Sequence, residues 1–342
     1  MNFTSDNAYG VAPEILSALA AVNSGAAAPY GEDEITARLN RRFADLFERE
    51  VAVFPVFTGT AANALAVATL SPPYGAVFCH EQSHLMVDEC AAPEFFSGGA
   101  KLVPLRGQDG KITAAAVEDA LPHYRGGVHS PKPSVISVTQ ATERGTVYRP
   151  DEIAALSDAA HREGMALHVD GARFANAVAH LDCAPADVTW KAGVDVLSFG
   201  ATKNGALCAE AVVFFDRGRA HEFEYRRKRA GQLASKMRFI SVQLEAYLRD
   251  GLWLNSARAA NSMAQQLARG LAALPGTQIA HAVEANEVFG YVPIALVEKL
   301  RAADVSFYEW EAPRNERVLL RFVLSRFTPQ EDVSRFVSLM RE

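Results

Sequence analysis

Basic residues are in the minority in this chain. Over 342 residues, 34 Lys and Arg stand against 40 Asp and Glu, a net charge of −6. That balance gives no electrostatic reason to expect nucleic acid or an anionic membrane surface as a partner. The one basic stretch, RGRAHEFEYRRKRAG (217–231), is interrupted by Glu222 and Glu224 and reads as a solvated helix or a subunit contact. No run approaches the ~20 consecutive apolar residues of a membrane span. The opening MNFTSDNAYG has neither the basic nor the apolar segment of a secretory signal. Cysteine is scarce: Cys79, Cys90, Cys183 and Cys208 form no C-x-x-C pair and no zinc-ligand spacing. Structural thiols in a cytoplasmic compartment, and no metal site, are therefore expected. No G-x-G-x-x-G follows any strand-like segment, which argues against a nicotinamide-dependent oxidoreductase.

What is present is ordinary globular composition, 49% hydrophobic and 22% charged. The length suggests two domains. From about residue 50 to 215, short apolar runs alternate with helical patterns. The strand candidates are 51–57, 75–80, 100–105, 133–140, 166–171, 194–200 and 210–215, with helices at 60–70, 113–124 and 149–164. Several of these runs are apolar throughout, as expected when helices cover both faces of a mainly parallel sheet. In the last helix Pro150 sits at the start and Gly164 at the end, the usual asymmetry. The segment SGAAAPYGEDE (24–34) reads as a mobile loop. After Phe215 the pattern turns helical, with a long helix around 236–250; beyond 277 short strands such as VLLRFVLS (318–325) meet helices at 293–304 and 328–342. The expected architecture is an N-terminal arm and large three-layer α/β domain over residues 1–245, then a small α+β domain over 246–342.

Chemistry gathers at the ends of the strand candidates. Lys203, in VDVLSFGATKN (194–204), and Asp170, in MALHVDGARF (165–174), each stand just past or at the end of an apolar run. On neighbouring strands they would face each other across a flat ligand. Pyridoxal phosphate needs such a pair, an amine for the Schiff base and a carboxylate to keep the pyridine nitrogen protonated. Thr58, Gly59 and Thr60 lie where a strand becomes a helix, a turn that aims N–H groups and the helix dipole at an anion. His84 follows another strand, placed to stack on the ring or act as a base. Arg173 and Arg321 offer guanidinium forks for an α-carboxylate.

Taken in order, these segments resemble the threonine aldolase / β-eliminating lyase family of fold type I pyridoxal phosphate enzymes. The likeness runs over most of the chain. It rests on FTSD (3–6), YGED (30–33), TGTAAN (58–63), Glu81 and His84 with Glu89 beyond, HVDGAR (168–173), SFGATKN (198–204) and RFV (321–323). The resemblance implies that Lys203 carries the cofactor and Asp170 pairs with its ring nitrogen. It implies that His84 stacks over the ring, that Gly59 and Thr60 hold the phosphate, and that Arg173 lies against the cofactor as well. Ser5, Arg173 and Arg321 are then expected at the substrate carboxylate, and Tyr30 on a loop at a subunit boundary. The implied reaction is retro-aldol cleavage of threonine, allo-threonine or phenylserine to glycine and an aldehyde, with His84, directly or through water, taking the β-hydroxyl proton. A homotetramer or dimer of dimers is implied too, with residues 217–238 offering a cation to a neighbour's phosphate. The chain departs from many low-specificity members in one respect: SVTQATERGTVY (137–148) has no histidine where they carry one, at Thr142 or a neighbour. The TQATERGTVY segment resembles the phenylserine aldolase branch, and that resemblance implies a more open aldehyde pocket. Alternatives on the same fold are a β-eliminating lyase, a transaminase or racemase, and a noncatalytic cofactor-binding protein.

Overall fold

Apolar runs buried on both faces need two covering layers, and the computed structural model, which describes residues 1–341, supplies them. Seven strands form the main sheet: β1 (Ala52–Val56), β2 (Gly75–His80), β3 (Lys101–Leu105), β4 (Lys132–Thr139), β5 (Ala166–Gly171), β6 (Val196–Gly200) and β7 (Glu210–Phe214). Their order is β1-β7-β6-β5-β4-β2-β3. β2 to β6 pair in parallel, and β7 alone runs against its neighbours β6 and β1. All five residues of β6 and of β7, and all six of β2 and of β5, are buried. The mainly parallel three-layer domain expected from the sequence is therefore present.

The helix Gly59–Leu70 explains why that layer packs closely. Its residues 61–68 are all buried, and six of those eight are alanine or valine, so the helix is apolar on nearly every side. On the opposite face, the helix Glu34–Phe47 turns Leu39, Phe43 and Phe47 inward. Phe43 meets Phe199 of β6 edge-on at 5.1 Å between centroids. Such a pair contributes about 0.5–1.5 kcal/mol beyond its burial. The helix Pro150–Arg162 begins with proline, and Glu152 accepts the Arg149 N–H at 2.7 Å. It stops at Gly164, whose φ of +68° suits glycine.

The helix expected around 236–250 is Arg238–Leu248, and a second helix, Leu252–Ala272, follows after Asp250 and Gly251 with φ of +52° and +70°. Residues 24–33 carry no helix or strand, and Asp33 at the end of that segment caps the helix 34–47 by accepting the Thr36 N–H at 2.9 Å. The short strands expected beyond 277 number four among the described residues: β8 (Gln278–Ile279), β9 (Glu287–Pro293), β10 (Tyr308–Arg314) and β11 (Arg317–Val323), ordered β10-β11-β9-β8. Of the C-terminal helix expected to 342, residues Gln330–Arg341 are helical, and Glu342 lies outside the described residues.

Two large apolar cores result among the described residues, beside three smaller clusters. The larger collects side chains from Ala12 to Ala257, and the smaller joins Ala264–Met340 to Phe3 at the opposite end of the chain. Phe3 is fully buried against Phe336 and Phe322, and its carbonyl accepts the Val323 N–H at 2.8 Å. The arm is thus fastened to the small sheet before it crosses toward the large one. No helix among the described residues is long and apolar enough to cross a membrane.

Candidate active site

The parallel strands deliver their carboxyl ends to one side of the sheet, the side where open α/β sheets bind ligands. Asp170 lies near the end of β5, opposite Ser198 of the adjoining β6, and Lys203 follows on the turn Thr202–Asn204. The turn is tight. A methyl group on Gly200 would stand 2.6 Å from the Ala172 carbonyl oxygen, so only glycine lets the two strand ends approach this closely. Thr58 and His84 lie beyond β1 and β2, and Thr139 ends β4.

These groups line a single cleft of about 360 Å³, into which Asn7, Asn63, Glu143, Arg173, Cys208 and Glu210 also face. Of the residues expected at the site, Lys203, Asp170, His84, Gly59, Thr60 and Arg173 are in its wall. Ser5, Tyr30 and Arg321 are not. The Ser5 hydroxyl accepts the Asn7 N–H at 3.1 Å, one turn from the cleft. Arg321 sits behind Arg173, sharing Glu287 with it and stacked on Trp310 at 4.8 Å. Tyr30, 48% exposed, lies under the Lys228 ammonium at 4.3 Å. His80, whose ring meets the Gln82 N–H and the Gly107 carbonyl, is not among the residues that line the cleft.

Asp170 is locked in place. Its Oδ2 accepts from Asn63 Nδ2 at 2.8 Å and its Oδ1 from the Ala172 N–H at 3.0 Å. The second Asn63 N–H goes to Glu89 Oε1, also at 2.8 Å, and that oxygen meets His84 Nδ1 at 2.9 Å. The hydrogen bond to Glu89 raises the His84 pKa against the opposing effect of burial, with the Asp170 charge assisting. Two residues before Asp170, His168 is clamped between the hydroxyls of Ser137 and Ser198, both at 2.9 Å. Complete burial lowers its pKa to about 4, so it is a neutral strut across β4, β5 and β6 at neutral pH.

Arg173 is equally fixed. Its Nε and Nη2 donate to Asp6 at 2.8 and 3.1 Å, and its Nη1 lies 3.4 Å from Glu287. A guanidinium has five donors, so two remain for a ligand. Burial acts against the charges of both partners, yet Arg173 is driven further into its charged form and Asp6 is held below the ordinary carboxylate range. Asp6, Asn63, Glu143, Glu210 and Glu287 were not singled out from sequence. Asp6 and Asn63 stood inside the quoted motifs; Glu287 gave no signal.

The cleft fits pyridoxal phosphate. The Gly59–Leu70 helix points its N-terminus at it, Thr58 Oγ1 caps the Ala61 N–H at 3.1 Å, and a methyl group on Gly59 would meet no protein atom within 4 Å. An anion has room there, close to unpaired N–H groups. Lys203 supplies the amine and Asp170 the fixed carboxylate. No group of three or more metal-ligating side chains occurs among the described residues.

Sheet order, antiparallel β7 and this constellation define a fold type I pyridoxal phosphate enzyme. The chain belongs to the beta-eliminating lyase family, which matches residues 2–295. A low-specificity L-threonine aldolase from a Pseudomonas species is 48% identical over 306 residues, covering 90% of this chain and 88% of that protein. The Pseudomonas aeruginosa protein of the same name is 49% identical with the same coverage. A solved structure of Leishmania major threonine aldolase superposes with a TM-score of 0.94 at 28% identity, covering 99% of this chain and 98% of that one.

Proposed function

We propose that this protein cleaves L-β-hydroxy-α-amino acids (threonine, allo-threonine or phenylserine) to glycine and an aldehyde, with pyridoxal phosphate as its cofactor. One observation carries the reading: the Lys203 amine and the Asp170 carboxylate line one cleft of about 360 Å³ beneath a helix N-terminus. The names of the two Pseudomonas relatives, at 48% and 49% identity, support the substrate class.

Lys203 would hold the cofactor covalently, and Asp170, immobilised by Asn63 and the Ala172 N–H, would keep the ring nitrogen protonated. The N–H groups at Gly59 and Thr60 would take the phosphate. Once bound, pyridoxal phosphate supplies an electron sink for the pair left at Cα when the Cα–Cβ bond breaks. His84, oriented through Nδ1 by Glu89, would pack on the ring. The two uncommitted donors of Arg173 would receive the substrate carboxylate, with Arg321 and Ser5 reaching it after small adjustments. Fixing both ends of the amino acid orients the bond to be broken, which is the chain's main contribution.

A homotetramer or dimer of dimers is part of the proposal, with Tyr30 serving at the boundary. Exposed Leu207 beside the cleft and exposed Tyr225 on the basic helix are apolar surfaces that a neighbour would cover. Four unpaired cysteines support a cytoplasmic setting.

The test is product analysis of the wild-type protein with the three substrates. Equimolar glycine and aldehyde are expected; keto acid and ammonia would point to β-elimination, and a colourless protein without borohydride-fixable cofactor to a noncatalytic role. Lys203→Ala is expected to lose both the covalent cofactor and turnover. Aldehyde release at a near-normal rate from that variant refutes the assignment of Lys203.

A further inference from the structure

Two carboxyls in the cleft wall, Glu143 and Glu210, have no part in the roles above; Glu210 accepts the Ala201 N–H at 3.1 Å, and the one left with an unpaired oxygen is Glu143. It lies on the loop after β4, in the segment where the sequence offered no histidine. The loop is held from several directions. Thr142 Oγ1 meets Thr146 Oγ1 at 2.8 Å, and Arg144 Nε donates to Gln82 at 3.0 Å. The Arg144 guanidinium is also packed between the rings of Phe289 and Trp310 at 5.7 and 5.5 Å. Glu143 is therefore a placed group rather than a loose side chain.

Its two oxygens are used unequally. Oε1 accepts the backbone N–H of His84 at 2.7 Å and the Thr139 hydroxyl at 2.9 Å. Oε2 is out of contact with solvent and has no hydrogen-bond partner. An orphaned carboxyl oxygen in a protein interior is costly, on the order of 1–3 kcal/mol or more, and is retained where something else supplies its partner. In a cleft that receives an amino acid, that something is the ligand. A β-hydroxy-α-amino acid brings an ammonium, a carboxylate and one hydroxyl. Lys203 exchanges with the first, Arg173 takes the second, and the hydroxyl is left to pair with a carboxyl.

On the reading that the protein is a β-hydroxy amino acid aldolase, we infer that Glu143 is the catalytic base: its free oxygen binds the substrate β-hydroxyl and takes the proton as the Cα–Cβ bond breaks. The balance is complete. The O–H bond breaks and its proton passes to Oε2. The O–H electron pair becomes the second bond of the aldehyde carbonyl, and the Cα–Cβ pair stays on Cα, later taken up by a proton to give glycine. His84, held through Nδ1 by Glu89, is assigned to packing on the ring rather than to this step.

The pH behaviour is consistent. Burial, followed by the Asp170 charge, raises the Glu143 pKa to about 7, while the hydrogen bonds to Oε1 act in the opposite direction. The other charged or titratable groups coupled to it are Arg173 and, deeper in the fold, Cys79 and Tyr148. The carboxylate must be ionised to accept a proton, so cleavage falls as pH drops through that value.

The experiment uses the holoenzyme and the Glu143→Gln variant, in which the amide oxygen can still accept from His84 and Thr139. Three quantities are compared: bound-cofactor absorbance, exchange of the glycine α-proton in deuterium oxide, and kcat/KM for phenylserine and threonine from pH 5.5 to 9. Exchange on glycine involves no β-hydroxyl. The expected result is normal cofactor absorbance and exchange, cleavage reduced about 10²–10⁴-fold, and loss of the acidic limb near pH 7. His84→Asn, run in parallel, keeps that limb. An unchanged cleavage rate or pH profile in Glu143→Gln overturns the assignment, and so does an equal fall in cleavage and exchange, which marks a structural role. If the wild type cleaves no β-hydroxy amino acid yet exchanges glycine, it is the proposed function that fails, and the base assignment with it.

Discussion

Asn63→Asp changes one atom at the centre of the site and reverses its logic. The Asn63 amide gives one N–H to Asp170 Oδ2 and the other to Glu89 Oε1, each at 2.8 Å, and the side chain is buried. Aspartate at this position replaces a double donor with an acceptor, leaving three carboxyls within hydrogen-bond distance. Two hydrogen bonds to charged groups are lost, at about 1.5–3 kcal/mol each, so the direct loss is about 3–6 kcal/mol. The protein can limit this by protonating one carboxyl, which restores a donor. Moving an ordinary carboxyl with a pKa near 4 to the protonated form at pH 7 costs about 4 kcal/mol, at about 1.4 kcal/mol per pH unit. The variant is therefore expected to be less stable than wild type by about 4 kcal/mol at pH 7. The sign with pH follows from linkage: the folded variant holds a proton that its unfolded chain releases above pH 4, so the deficit shrinks on acidification. Between pH 7 and pH 5 it should narrow by about 2.7 kcal/mol. Urea unfolding of the cofactor-free wild type and variant at pH 5, 6, 7 and 8 measures the difference directly, cancelling titrations common to both. A deficit that is constant across that range refutes the three-carboxyl account, as does a variant as stable as wild type at pH 7. The functional consequence is weaker cofactor binding, because the shared proton competes with the charge that Asp170 presents to the ring.

Two further outcomes follow from the same geometry. His84→Asn removes an aromatic face but not the Glu143 contact to its backbone N–H, so it should weaken cofactor retention and slow cleavage about 10-fold to 10³-fold; fluorescence titration with the cofactor and steady-state rates check this, and unchanged values would reduce His84 to a structural group. Gly200→Ala places a methyl carbon 2.6 Å from the Ala172 carbonyl oxygen, prising apart the ends of β5 and β6; loss of cofactor binding at least as severe as the loss of stability is expected from dialysis and thermal melts, whereas a variant that melts and binds like wild type shows that the strand ends yield.

The large sheet was legible because its strands are covered on both sides. A strand such as GAVFCH, buried at every position, reads as an uninterrupted apolar run that no exposed element imitates. The small sheet was not. β10, YEWEAPR, is an edge strand with most positions at least partly exposed, and its sequence alternates weakly. β9 begins with Glu287, a fully buried glutamate, where the default expectation is a surface position. The residues Lys203, Asp170, His84, Gly59, Thr60 and Arg173 were legible as members of one cleft because strand ends fix their place. What holds them was not, because Asp6 reaches Arg173 from 167 positions away and Asn63 reaches Asp170 from 107. Contacts that distant are set by topology, and sequence spacing does not report them.

The site's charge balance gives that hidden shell a purpose. Lys203, Arg173 and His84 face Asp170, Glu143 and Glu210 in the cleft wall, with Glu89, Asp6 and Glu287 directly behind. Burial raises the pKa of Glu89, Glu143, Glu210 and Glu287, so these carboxyls hold their protons to higher pH than exposed ones do. A ligand bringing a protonated ring nitrogen and an ammonium supplies the missing positive charge, while its phosphate and carboxylate are directed to a helix N-terminus and a guanidinium. Binding and ionisation of the carboxyls are then coupled in one direction. Substrate should lower the apparent pKa of the acidic limb of cleavage below that of the free holoenzyme, so that kcat holds to lower pH than kcat/KM. A limb at the same pH in both profiles means that the carboxyls do not sense the ligand's charge, and the shell is then a scaffold only.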